Sequence, residues 1–255
     1  MLCLAVILTL LAGAIGAPTE AFYDLTSSGR IVNGTDAKLG DYPFIYLKLF
    51  IIITHMCGAS IINECTILTA AHCVSGDKPE YLSVLVGTVT LDRDGARHQV
   101  SEIIVHEGYN PSNTYINDIA ILKLSSRIHF SNTVQAVRLP AQSATTAGGT
   151  PAVVIGWGLP YVIMNNLQRV DIGVYSDSEC QRIHYFTVHN TNICAGVPEG
   201  GKGQCSGDSG GPLMANGHQV GIVSWSVKPC TVAPYPGVYT EVSHYVTWIQ
   251  RHSHF

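Results

Sequence analysis

Beyond a polar stretch near the amino terminus, apolar residues recur in short runs bounded by glycine, proline, asparagine and serine. The clearest are residues 81–89, 100–105, 119–124, 152–155 and 219–224. Runs of this length with this punctuation predict strands, and their spacing argues for an all-β barrel or sandwich. Helical periodicity is confined to residues 176–183 and to the end, where Val242, Tyr245, Val246 and Ile249 recur at three- and four-residue spacing. Residues 139–149 (LPAQSATTAGG) are small, polar and rich in turn formers. They divide the chain after residue 30 into near-equal halves, as a linker between two barrels would. There is no internal repeat, low-complexity tract or long run of charge.

The amino-terminal segment reads differently. Residues 1–16 (MLCLAVILTLLAGAIG) are apolar and end on small residues, the pattern of a secretory signal peptide. The run falls short of the roughly 20 residues a membrane span needs, so no membrane association is expected. Residues 17–30 are mostly polar and close on Ser27-Ser28-Gly29-Arg30 before the apolar Ile31-Val32, as a removable pro-segment would. A secreted, extracellular protein follows.

The 255 residues give 27.4 kDa, room for one large all-β domain or two small ones. Net charge of -4 supplies no basic field, which argues against nucleic acid as a partner. Eight cysteines are present. Cys3 leaves with the signal, and seven in an oxidising compartment predict three disulfides and one odd thiol. The neighbouring pairs in sequence are Cys57 with Cys73, Cys180 with Cys194, and Cys205 with Cys230, which leaves Cys65; spacing alone does not decide the connectivity.

The chemistry concentrates in Gly207-Asp208-Ser209-Gly210-Gly211-Pro212. A hydroxyl is a weak nucleophile, so a catalytic serine needs an exposed, fixed position beside a base and near donors for the oxyanion. The segment also fits the serine elbow of α/β-hydrolases. That fold needs a helix directly after the serine and an acid and a histidine downstream, whereas here Gly-Gly-Pro follows and the remaining chain is short. Upstream, Thr69-Ala70-Ala71-His72-Cys73 sets a histidine beside a cysteine, and Asp118 stands immediately before the apolar run Ile119-Ala120-Ile121-Leu122. A carboxylate there is expected to be buried, and an imidazole N–H is a suitable partner for it. The order along the chain is His72, Asp118, Ser209.

With these residues in place the chain resembles the chymotrypsin/trypsin family of serine proteases from Ile31 to about residue 250. The motifs are Ile31-Val32-Asn33-Gly34, Thr69 to Cys73, Asp118-Ile119-Ala120, Gly156-Trp157-Gly158, Gly207 to Pro212, Ser224-Trp225 and Pro236-Gly237-Val238-Tyr239. The resemblance implies two six-stranded antiparallel β-barrels, residues 31–140 and 150–255, with a carboxyl-terminal helix and the active site in the cleft between them. It implies a triad of His72, Asp118 and Ser209, an oxyanion hole from the N–H groups of Gly207 and Ser209, and a hydrogen bond from Ser224 to Asp118. It also implies cleavage after Arg30, followed by an ion pair between the new Ile31 amine and Asp208.

By the same resemblance the substrate pocket takes Gly203 as its floor, six residues before Ser209, with Gln204, Ser226 and Gly237 around it. No carboxylate stands at the floor, so cleavage after large apolar residues is expected and cleavage after Lys or Arg is not. Gln204 is a departure, because relatives usually carry a small residue there; a long amide would shorten the pocket or bond a polar group, which favours Leu or Tyr over Phe, and an elastase-like taste for smaller residues is the alternative. A catalytically dead homologue is the other, although such proteins usually lose a triad residue. Cys65 is a second departure and reads as a partly buried free thiol. Thr88 and Val89 follow Gly87 where calcium-binding relatives soon have a glutamate, so neither metal nor cofactor is expected. The implied partners are protein or peptide substrates, a trypsin-like activating protease and protein inhibitors, and the expected state is a monomer. Length and the bare pro-segment resemble an arthropod digestive chymotrypsin.

Overall fold

The computed structural model describes residues 30–50, 55–91, 95–158 and 165–253. The proposed signal peptide and all of the pro-segment before Arg30 lie outside them. Thirteen strands are described, β1 (Thr35–Asp36), β2 (Ile45–Phe50), β3 (His55–Asn63), β4 (Thr66–Thr69), β5 (Leu82–Val86), β6 (Ala96–Val105), β7 (Ala120–Leu124), β8 (Pro151–Gly156), β9 (Gln168–Val174), β10 (Asn192–Gly196), β11 (Pro212–Ala215), β12 (His218–Trp225) and β13 (Gly237–Glu241). Apart from the four-residue segment Arg30–Asn33, which is non-helical at Ile31 and Val32, two α-helices accompany them, α1 (Asp177–Ile183) and α2 (Val246–Ser253).

The strands make two antiparallel barrels. The first closes in the order β2-β3-β4-β7-β6-β5. The second runs β9-β10-β13-β12-β11-β8 and is closed by pairing of β8 back to β9, with the short β1 added on β9. Closure removes the unpaired strand edges that an open sheet would expose. The expected double barrel is therefore found, and it accounts for the burial pattern. In β4, β5 and β7 all residues are buried, including Ile67, Leu68, Val84 and Ile121, because a closed barrel covers one face and its neighbours cover the other. In β9 the alternation survives, with Gln168, Val170, Ile172 and Val174 turned in.

Each barrel has its own core. Ile61, Leu68, Leu82 and Ile121 anchor the first; Val154, Ile193, Leu213 and Tyr239 anchor the second, joined by Ile31. Helix α1 begins where the Ser176 hydroxyl accepts from the Glu179 N–H at 3.3 Å, the usual way to satisfy a free first-turn donor. Helix α2 sets Trp248 and Ile249 against the first barrel although it follows the second in sequence. The barrels are also tied together by polar contacts. The Gly58 N–H donates to the Ser209 carbonyl at 2.7 Å, and the Ser60 hydroxyl donates to Gln219 Oε1 at 2.6 Å. Disulfides join Cys57 to Cys73, Cys180 to Cys194 and Cys205 to Cys230, while Cys65 is a buried free thiol. Among the described residues no helix is long and apolar enough to cross a membrane.

Candidate active site

His72 sits in a single 3₁₀ turn, Ala71–Cys73, directly after β4. The Cys57–Cys73 disulfide ties that turn to β3, so the position of the ring is set from both sides. Asp118 lies immediately before β7, fully buried. Its carboxylate is held by three donors: the His72 backbone N–H at 2.8 Å on Oδ1, and His72 Nδ1 at 2.7 Å and the Ser224 hydroxyl at 2.6 Å on Oδ2. Its backbone carbonyl takes a fourth bond, from the Thr240 hydroxyl at 2.8 Å. Ser224 and Thr240 belong to β12 and β13, so the second barrel completes the shell of an acid carried by the first. Every one of these donors satisfies a polar atom that burial would otherwise leave without a partner. With Oδ2 on Nδ1, the imidazole carries its proton on Nδ1 and leaves Nε2 as the basic nitrogen.

Ser209 occupies the turn before β11. Gly210 has φ +78°, and a Cβ on it would come within 2.5 Å of the Gly58 carbonyl oxygen, so the serine loop lies on the backbone of the first barrel as only glycine permits. His72 and Ser209 line one cavity of about 690 Å³ between the barrels, together with Gln204, Gly207, Ser226 and Lys228. Its outer wall is aromatic, with Tyr115, Phe186 and Trp225. The Tyr115 ring meets His72 edge-on at 5.7 Å.

A chain with this site and this double barrel is matched from residue 31 to residue 249 by the family model described as Trypsin. The chain belongs to the trypsin family. It is 42% identical over 240 residues to "Trypsin-1" of Astacus astacus, covering 88% of this chain and all of that protein. It is 40% identical over 225 residues to "Chymotrypsin-2" of Vespa crabro, with 87% and 99% covered. It is also 37% identical over 256 residues to "Trypsin beta" of Drosophila erecta, with 98% of each covered. This trypsin-family chain is a serine endopeptidase acting on protein substrates. Relatives carry both the trypsin and the chymotrypsin name, so family membership leaves the preferred cleavage residue open.

Asp208, next to Ser209, is completely buried, and the Lys228 charge acts on it from the cavity side. Its Oδ1 accepts from the Gly158 N–H and its Oδ2 from the Cys205 N–H, both at 2.8 Å. Burial nevertheless pushes its carboxyl up to about 7, with the two backbone donors and then the Lys228 charge opposing. Ile31 is already seated nearby: fully buried in the second core, its N–H donates to the Gly158 carbonyl at 3.1 Å. Still joined to Arg30, it has φ +30°, a left-handed conformation that strains a β-branched residue.

The four residues expected around the substrate pocket are divided by the fold. Gln204 and Ser226 line the Ser209 cavity. Gly203 and Gly237 do not; they line a separate space of about 10 Å³ behind Gln204. The expectation of Gly203 as the accessible floor is corrected accordingly, because the longer Gln204 side chain stands in front of it. The sequence also carried no signal for Lys228, Tyr115 or Phe186. Lys228 comes to the cavity because the Cys205–Cys230 disulfide folds its loop back over Ser206, whose hydroxyl accepts from Nζ at 3.3 Å.

Proposed function

We propose that this chain is a secreted serine endopeptidase, made as a precursor activated by cleavage after Arg30, that cuts peptide bonds after large apolar side chains. The observation that carries the catalytic assignment is the buried Asp118 carboxylate on Nδ1 of His72, with Ser209 in the same cavity. In this reading Nε2 of His72 takes the proton of the Ser209 hydroxyl as the oxygen attacks the scissile carbonyl. The cation that forms on His72 is stabilised by Asp118. Negative charge passes to the carbonyl oxygen, where the N–H groups of Gly207 and Ser209 are assigned to receive it. His72 then returns its proton to the leaving amine, which leaves an ester on Ser209. A water molecule deprotonated by the same histidine releases the acid and restores the serine.

Two observations support a preference for uncharged side chains. No carboxylate lines the cavity, and the cation that does is Lys228, whose amine burial pulls below its usual range. A Lys or Arg substrate side chain would enter beside a like charge with no counterion. Activation is supported by the position of Ile31: cleavage relieves its strained link to Arg30 and frees an α-amine beside Gly158, whose N–H already donates to the buried Asp208. Secretion is supported by the apolar leader and by three disulfides.

Labelling with a serine-reactive phosphonate tests the reading. Ser209 should label strongly after trypsin treatment and weakly before it, and Ser209→Ala should abolish labelling. Equal labelling of Arg30→Gln before and after trypsin would refute the activation step, and labelling that survives Ser209→Ala would refute the nucleophile.

A further inference from the structure

Gln204 stands between the two cavities just described. It and Ser226 are the residues common to both. The side chain is buried, 3% exposed, and its Nε2 donates to the Trp225 carbonyl at 2.9 Å and, at 3.5 Å, to that of Val238. These acceptors determine which way the amide lies, since turning it over would set Oε1 against two carbonyl oxygens. The nitrogen end is on the Gly237 side: a Cβ on Gly237 would approach Nε2 to 2.7 Å. The other end of the amide, Oε1, is buried and has no hydrogen-bond partner. A buried acceptor is unfavourable for as long as no donor reaches it.

We propose that Gln204 forms the end of the substrate pocket and offers Oε1 to the tip of the substrate side chain on the amino side of the cut bond. The enzyme then distinguishes neutral side chains tipped with a donor from apolar ones of the same shape, tyrosine from phenylalanine and glutamine from methionine. The proposal rests on the reading of this cavity as a protease site. Two parts of the geometry carry it. The amide blocks the way to Gly203, so the pocket ends on a polar group where the spacing in sequence placed a small residue. That group is an acceptor with its donor already committed, so it rewards a donor and repels a carboxylate. Cations are not the complement, because the acceptor is neutral and Lys228 shares the wall.

The test uses activated enzyme and peptides identical except at this one position, compared as Tyr against Phe and Gln against Met. In the wild type kcat/KM should favour the donor-bearing member of each pair about five- to tenfold, the value of one neutral hydrogen bond. Gln204→Met keeps the length and removes the acceptor, and should bring both ratios to about one. Gln204→Ser should open the way toward Gly203 and raise cleavage after Trp relative to the wild type. Titration with a serine-reactive phosphonate is run on every variant. Wild-type enzyme that titrates fully yet treats Tyr and Phe alike would overturn the acceptor role, and no gain for Trp in a titratable Gln204→Ser would overturn the blocking role. Wild-type enzyme that does not titrate after activation would instead bring down the protease reading itself.

Discussion

The buried carboxylate of Asp208 predicts a pH-dependent difference in stability between the cleaved and uncleaved chains. In the uncleaved chain burial raises the carboxyl from 3.8 to about 7, so the fold favours its protonated form. The unfolded chain ionises from about pH 4 upward while the fold still holds the proton. Stability therefore falls as pH rises from about 4 to about 7, and levels off above that. At about 1.4 kcal/mol per pH unit the loss amounts to about 4 kcal/mol. On the proposed activation, cleavage after Arg30 supplies the Ile31 amine as a partner, which should lower the carboxyl and remove the penalty over this range. The gap between the two forms should open between pH 4 and 7 and close again at alkaline pH, as the paired amine loses its proton. Burial lowers His98, His106 and His184, which pulls the other way as pH falls, but these residues are common to both forms and cancel in the gap.

The assay is thermal unfolding of the Ser209→Ala protein, which cannot digest itself, before and after trypsin treatment. With about 2–4 °C of Tm per kcal/mol for a domain of this size, the gap should widen by about 8–16 °C from pH 4 to pH 7. Asp208→Asn should make it independent of pH. A gap of equal size at both ends of the range, or one that persists unchanged in Asp208→Asn, would rule out the buried carboxylate as its cause.

Three further outcomes follow from the same geometry. His72→Ala should lower kcat about 10²–10⁴-fold with KM little changed, and a variant with a tenth of normal activity would overturn its assignment as the base. Ser224→Ala removes a 2.6 Å bond to a buried carboxylate, a contribution of about 1.5–3 kcal/mol, and steady-state kinetics should show kcat reduced about 10- to 100-fold. Replacing Cys57 and Cys73 together with alanine should cost about 2–5 kcal/mol in denaturant unfolding, with loss of activity at lower denaturant than the global transition because His72 adjoins the bridge.

Much of the site was legible in the chain because its chemistry is local. His72 beside Cys73, Asp118 ahead of an apolar run, and Ser209 among glycines each need a residue type in an immediate setting, and that setting is written in adjacent positions. The neighbouring cysteine pairs are joined to one another, helix α1 lies within the expected residues 176–183, and α2 takes the later part of the carboxyl-terminal run, whose start at Val242–His244 is a 3₁₀ turn instead. The strands were legible in part: β5, β6, β7, β8 and β12 overlap the five predicted runs. Others, such as β10 (NICAG) and β13 (GVYTE), carry little alternation, because both their faces are covered and burial no longer selects every second position. Where long side chains reach is set by the packed fold. Spacing from Ser209 put Gly203 at the pocket floor, but the Gln204 amide is drawn across it by carbonyls 21 and 34 residues away in sequence, on Trp225 and Val238. A rotamer follows the acceptors around it, and those acceptors come together only when β12 and β13 pair behind the site.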